Sequence, residues 1–273
     1  MNKKIISFTH KNGFFEGVYF NSGDQTPLVI IVNGHNGFYN YGMFPFIQET
    51  LYKNKISSYS FNFSHGGVIG DKDFFEDLGK YEKNCIRLEV EDLMSVLQNE
   101  AFKAHSLTLL LAHSLGGVPA IFGAKQAIEK QIKITGLILL STVSTLNFWP
   151  AEIIEEWKKK KVYYKKNNRT KQELPQGEEF LHEVLEHEIN WNVVEAICSF
   201  QIPILIIHGG KDEAVPVEHA NIMYNAIHKH NLSATMKIIQ GATHTYNTMH
   251  PFLGPSPQLL EMLEVITNFV LSI

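Results

Sequence analysis

Residues 107–117 read LTLLLAHSLGG. An apolar run ends at Ala112, and His113-Ser114-Leu115-Gly116-Gly117 follows. The run has the length and composition of a buried strand, and residues 115–128 suit a helix. A serine at such a corner, with a small residue two before it (Ala112) and two after it (Gly116), fits a sharp strand-to-helix turn that lifts a hydroxyl above a sheet. Those neighbours must be small because the following helix crowds the strand, and Gly117 lets that helix approach closely. The plainer reading is a serine that only caps a helix. The rest of the chain separates the two.

A serine hydroxyl is a weak nucleophile at neutral pH and needs a base. The base in turn needs a group that fixes its tautomer and stabilises its charged form. On a sheet of parallel strands the expected order is serine, acid, histidine, each in a loop after a later strand. The strand-like run IPILIIHG (202–209) is followed by GKDEAVP, which puts Asp212 just past a strand end. The run ATMKIIQG (234–241) overlaps GATHTY, which puts His244 just past the next. Singly, Asp212 reads as a turn residue beside Gly209-Gly210, and His244 as one of thirteen histidines. Jointly, three residue types in order at three strand ends point to nucleophilic catalysis. The developing oxyanion needs N–H donors. The backbone N–H of Leu115 is one candidate, and that of His35 in VNGHNGF (32–38) is the other.

Further out, apolar runs alternate with helical patterns, the mark of an α/β protein. IISF (5–8) and FFEGVYF (14–20) form an expected antiparallel hairpin. PLVIIVNG (27–34), ISSYSFNF (56–63), SLTLLLA (106–112) and TGLILLS (135–141) read as further strands. Helices are expected over 43–54, 84–100, 115–128, 216–229 and 258–271. The predicted organisation is a core formed by 1–141 and 201–273, with 142–200 inserted as a helical cap or lid. That insertion shows no convincing strand. Its Trp149 and Trp157, with His65 and His113, are candidate substrate contacts. The aromatics also suit packing of the lid onto the sheet. Its basic residues, Lys158–Lys161, Lys165, Lys166, Arg169 and Lys171, could attract an anion but read better as a solvated helix face and loop.

Composition bounds the alternatives. The chain has 273 residues, 44% of them hydrophobic, and a net charge of −4 from 24 Lys+Arg against 28 Asp+Glu. A mildly acidic balance argues against a nucleic-acid partner. Cys85 and Cys198 are too few for a disulfide framework and lack metal-ligand spacing. The glycine-rich loop around His65 lacks the Lys-Ser/Thr of a phosphate cradle. No apolar run approaches the ~18–20 residues that span a bilayer. The expectation is a cytoplasmic protein with no metal, no cofactor, no membrane and a small-molecule substrate.

With these motifs in view the chain resembles the α/β-hydrolases over nearly its full length, and among them the cinnamoyl-esterase-like and dienelactone-hydrolase-like members. VNGHNGF resembles the oxyanion segment, FNFSHGG the following strand-end segment, AHSLGG the nucleophile elbow, HGGKDEAVP the acid loop and GATHTY the histidine loop. The resemblance implies an α/β-hydrolase fold, a mostly parallel sheet with helices on both faces. It also implies Ser114, Asp212 and His244 as catalytic residues, with His35 and Leu115 supplying the oxyanion donors. Asn33 stands where a histidine is usual, and Ala112 where a glycine is. The activity implied is a carboxylesterase working through an acyl-enzyme. The alternatives are a prolyl-oligopeptidase-like peptide hydrolase, for which the chain lacks room for a propeller, and a non-catalytic binding protein of the same fold.

Overall fold

The apolar runs that end at Val32, His113, Leu140 and Gly209 lie side by side in the middle of one eight-stranded sheet. This is a computed structural model, and it describes residues 2–167, 169–230 and 232–273. The chain opens with β1 (Lys3–His10), β2 (Gly13–Phe20), β3 (Leu28–Val32), α1 (Phe44–Lys53) and β4 (Ser57–Phe61). It continues through α2 (Leu78–Glu82), α3 (Ile86–Leu97), β5 (Thr108–His113), α4 (Gly117–Glu129) and β6 (Gly136–Leu140). Next come α5 (Ala151–Lys160), β7 (Tyr163–Lys166), β8 (Glu173–Gln176), α6 (Glu178–Leu185) and α7 (Val193–Ile197). It closes with β9 (Ile204–Gly209), α8 (Glu218–Lys229), β10 (Ala234–Ile239) and α9 (Pro257–Ser272).

The strand order is β1-β2-β4-β3-β5-β6-β9-β10. The β1–β2 and β2–β4 pairs are antiparallel and the rest are parallel. Strands buried on both faces must be apolar at every position, and β3, β5, β6 and β9 are so from end to end apart from Thr108, His113, His208 and the glycines. Alternate side chains then sort to opposite faces. Leu28, Ile30, Leu110, Leu137 and Ile206 face α3, α4, α7 and α8. Val29, Ile31, Leu109, Leu111, Ile138 and Ile207 face α1 and α9. Shortening one of these leucines to alanine costs about 2–5 kcal/mol.

Helix ends follow local chemistry. Ser256 caps α9 by accepting the Leu259 N–H at 2.9 Å, with Pro257 in the first turn; such a cap contributes ~1 kcal/mol. α3 has no cap of its own, because Cys85 stands at that position. Its first two amides, of Ile86 and Arg87, instead donate to the carboxylate of Glu183 at 2.5 and 2.9 Å. Glu183 belongs to α6, far along the chain, so the 142–200 segment terminates a helix of the body.

That segment departs from the sequence expectation. It contains a two-stranded antiparallel ribbon, with Tyr163 opposite Gln176 and Lys166 opposite Glu173. YYKK and ELPQ neither alternate nor concentrate apolar residues, so no strand signal exists in them, and Pro175 is tolerated because a two-stranded ribbon is all edge. The ribbon is held from below instead. Gln172, in its turn, exchanges two hydrogen bonds with the backbone of Phe75, at 2.9 and 2.7 Å. The Gly177 N–H donates to the Glu82 carbonyl at 2.8 Å. Trp157, Phe180, Leu181 and Val184 join the apolar cluster on the α3–α4 face. No helix among the described residues is long and apolar enough to cross a membrane.

Candidate active site

The corner after β5 is as tight as its sequence suggests. Ser114 has φ +58°, in the left-handed region that disfavours side chains, a strain of order 1–3 kcal/mol. A short 3₁₀ turn over Ser114–Gly116 leads into α4. A Cβ on Gly116 would lie 2.3 Å from the Asn33 carbonyl oxygen, and one on Gly117 2.0 Å from Thr142 Cγ2. Both positions therefore demand glycine. Ala112, at the other small position, is fully buried without forcing the turn open. Asn33 donates its side-chain N–H to the Phe61 carbonyl at 2.6 Å, tying the end of β3 to β4.

Three loops converge on this corner. His244 Nε2 lies 2.9 Å from Ser114 Oγ, and His244 Nδ1 lies 2.8 Å from Asp212 Oδ2. The other carboxylate oxygen of Asp212 accepts the Ala214 and Val215 amides at 3.0 and 2.9 Å. Burial pushes the Asp212 carboxyl up, but the hydrogen bond and charge of His244, the Val215 amide and the Ser141 hydroxyl outweigh it and hold it below its ordinary value. An ionised Asp212 facing Nδ1 keeps the proton there and leaves Nε2 free to accept from Ser114. His208, fully buried at the end of β9, donates to the Val215 carbonyl at 2.8 Å and so shapes the Asp212 loop. His113 sits beneath His244, its Nε2 2.9 Å from the His244 carbonyl oxygen. Burial first, and the neighbouring His244 second, bring its pKa down to about 3, so it is a neutral donor. Its ring borders only the smaller of two clefts at Ser114.

The loop after β3 brings His35 to the same cleft that Ser114 and Leu115 line. Neither the His35 nor the Leu115 N–H engages an acceptor among the described residues. The loop turns at Gly37, whose N–H donates to Gly34, and at Asn36, with φ +63°. The His35 ring is fixed by the inserted segment. The Gln176 amide donates to its Nε2 at 2.8 Å, Tyr81 Oη lies 3.0 Å from the same nitrogen, and Phe180 stacks on its face at 5.8 Å. Tyr81 also donates to the Asn36 side-chain oxygen. Burial, with Lys165 adding to it, lowers the His35 pKa to about 3.

Two clefts meet at Ser114. The larger, of about 700 Å³, runs between the acid loop and the inserted segment. Phe148 and Trp149, stacked at 3.9 Å, give it an apolar wall. Lys165, Lys166 and Arg169 give it a basic one. His219 also lines it; its Nδ1 accepts the Ser144 N–H at 3.0 Å, which in the neutral ring leaves the proton on Nε2. The smaller cleft, about 50 Å³, is bounded by Tyr41, Phe44 and His113. Of the residues singled out from sequence, the structure brings Ser114, His244, Asp212, His35, Leu115 and Trp149 to one place. It leaves two apart. Trp157, on α5, is fully buried in the apolar cluster. His65 lies outside both clefts, 3.0 Å from Ser64 Oγ; Ser64 in turn bonds buried Asp92. His219, Gln176 and Tyr81 carry no local motif and emerge only in three dimensions.

Comparison with known proteins agrees with this architecture. Est1E from Butyrivibrio proteoclasticus superposes with a TM-score of 0.68 over 98% of both chains at 19% identity. The chain has the α/β-hydrolase fold. A structure of Est1E with ferulic acid bound matches over 95% of both chains at 21% identity, also with a TM-score of 0.68. A dienelactone hydrolase from Anabaena variabilis shares the α/β-hydrolase fold at 11% identity, with a TM-score of 0.61 over 99% of this chain and 97% of that one. Residues 191–253, which hold β9, α8, β10 and the loops carrying Asp212 and His244, match the dienelactone hydrolase family. No curated protein matches the sequence significantly.

Proposed function

We propose that the protein is a serine hydrolase that cleaves small-molecule carboxylic esters through an acyl-enzyme. The observation that carries this reading is the unbroken hydrogen-bonded line from Ser114 Oγ through His244 to Asp212. His244 takes the serine proton as Oγ attacks the ester carbonyl, and Asp212 stays ionised and stabilises the imidazolium. The oxyanion is received by the N–H groups of His35 and Leu115, whose freedom from other acceptors supports the assignment. Losing one such donor typically costs ~10²–10³ in rate. His244 then protonates the departing alcohol, and water, deprotonated by the same imidazole, releases the acid. His113 and His208 hold the two partner loops rather than touch substrate. The segment 142–200 acts in this reading as a cap over the cleft, and the esterase and hydrolase names among the structural relatives are consistent with it.

The test uses short-chain p-nitrophenyl esters and a fluorophosphonate probe. Wild-type protein is expected to hydrolyse the former and to be labelled at Ser114 by the latter. Ser114→Ala should abolish labelling and lower kcat by ~10⁶, with an unchanged circular dichroism spectrum. Turnover retained in that variant would rule out the serine as nucleophile.

A further inference from the structure

The basic residues of the insertion fall into two groups with different surroundings. On α5, Lys158 and Lys160 pair with Glu155 and Glu156, and Lys161 pairs with Glu178. These are compensated charges on an exposed face. Lys165, Lys166 and Arg169, on and just after β7, have no carboxylate within ion-pair distance among the described residues, and all three line the large cleft. Glu213 is the one acidic side chain in that lining. The Arg169 guanidinium lies over the Tyr41 ring, Cζ 4.3 Å from its centroid, and borders the small cleft as well, so it lines both clefts that meet at Ser114. Asp73 is a further acid near Arg169 but makes no ion pair with it.

Three like charges gathered on and beside one short ribbon repel one another, and none of the three is ion-paired among the described residues, although Glu173 stands across the ribbon from Lys166 and Glu213 lines the same cleft. A ligand anion would relieve that repulsion. A guanidinium fork suits a carboxylate, and a neighbouring aromatic ring leaves its N–H donors free for one. Phe148 and Trp149 give the same cleft an apolar, aromatic lining. The small cleft admits a group of only a few atoms.

We propose that the substrate is an amphipathic ester: a short group on one side of the scissile bond, and on the other a longer apolar chain or ring that ends in a carboxylate held by Lys165, Lys166 and Arg169. This rests on the serine-hydrolase reading for the bond cleaved, but the anion site stands on its own residues. The reaction balances as ordinary hydrolysis, ester and water giving acid and alcohol, and the distal carboxylate takes no part in bond exchange.

Matched substrate pairs test it: monomethyl adipate against methyl hexanoate, and 4-acetoxybenzoate against 4-acetoxybenzamide. The charged member of at least one pair should show kcat/KM about fivefold or more higher, mostly through KM, and the preference should shrink as salt rises. Lys165→Gln and Arg169→Gln should each reduce the ratio of charged to neutral turnover, and Lys158→Gln, which removes a paired lysine on the outer face, should not. Equal turnover within both pairs, a ratio indifferent to salt, or an equal response to Lys158→Gln would each overturn the proposal. Binding to Ser114→Ala protein, followed by ligand-detected NMR, separates the two readings. If monomethyl adipate binds and methyl hexanoate does not, the anion site holds even where no ester is cleaved. If neither binds preferentially, it fails even where p-nitrophenyl esters turn over.

Discussion

At the sheet rim, Ser114 follows β5 directly, and Asp212 and His244 lie within five residues of the ends of β9 and β10. In the inserted segment, Lys165, Gln176 and Arg169 sit on or beside a two-stranded ribbon with no sheet behind it. Rim residues are placed by strand register and by backbone contacts too close for any side chain, as at Gly116. Insertion residues are placed by a few side-chain hydrogen bonds, as between Gln172 and Phe75 and from Gln176 to His35. The contrast teaches a division of labour. In the proposed reading, the part that must hold atoms to a few tenths of an ångström is built from the buried sheet, and the part that meets the ligand from a tethered ribbon.

Substitutions at the rim should therefore cost most. Gly116→Val places a branched side chain against the Asn33 carbonyl and should yield insoluble or unfolded protein; soluble expression with native circular dichroism would show that the rim is looser than the geometry implies. Asp212→Asn keeps the fold but favours the wrong tautomer of His244, with kcat falling by ~10⁴; ester kinetics read it directly. On the insertion side, Gln176→Leu removes the donor to His35 and should lower kcat about tenfold with KM nearly unchanged, a loss smaller than that of a whole oxyanion donor. A loss confined to KM would mean that the insertion contacts substrate but does not order the oxyanion loop.

The smallest effect concerns the seam between the two regions. Glu89, fully desolvated on α3 beside Glu183, has its carboxyl pushed up to about 8, burial outweighing the hydrogen bond from Asn84. Native protein then keeps this proton across a range where the unfolded chain, titrating near an ordinary carboxylate pKa, has lost it. The unfolded state binds fewer protons there, so stability should fall as pH rises from ~5 to about 8. Glu89→Gln should flatten that slope, as measured by urea midpoints across the range.

The same contrast explains what was legible in the sequence. Central strands announce themselves because burial on both faces leaves only apolar choices, as in LVIIV (28–32) and TLLLAH (108–113). The order Ser114, Asp212, His244 could be read because each residue sits a fixed step beyond such a run. The ribbon could not, since Tyr163–Lys166 and Glu173–Gln176 owe their pairing to tethers elsewhere in the chain. Trp157 looked like a pocket residue because an aromatic in an insertion has two possible fates, and only packing decides between them. His65 was drawn toward the site by its place after a strand, yet its ring turns to Ser64. Lys165 and Arg169 could not be told from the lysines of α5 until the chain set one group along a cleft and paired the other with neighbouring glutamates.

Glu183 gives this division a final twist. By receiving the first amides of α3, a carboxylate from the insertion does work that helices ordinarily assign to their own flanking residue. Excising residues 142–200 would thus strip a body helix of the carboxylate that receives its first amides, so the architecture resists simplification to a bare sheet. Lifting the segment away would have to break the Glu183 contacts to the first amides of α3.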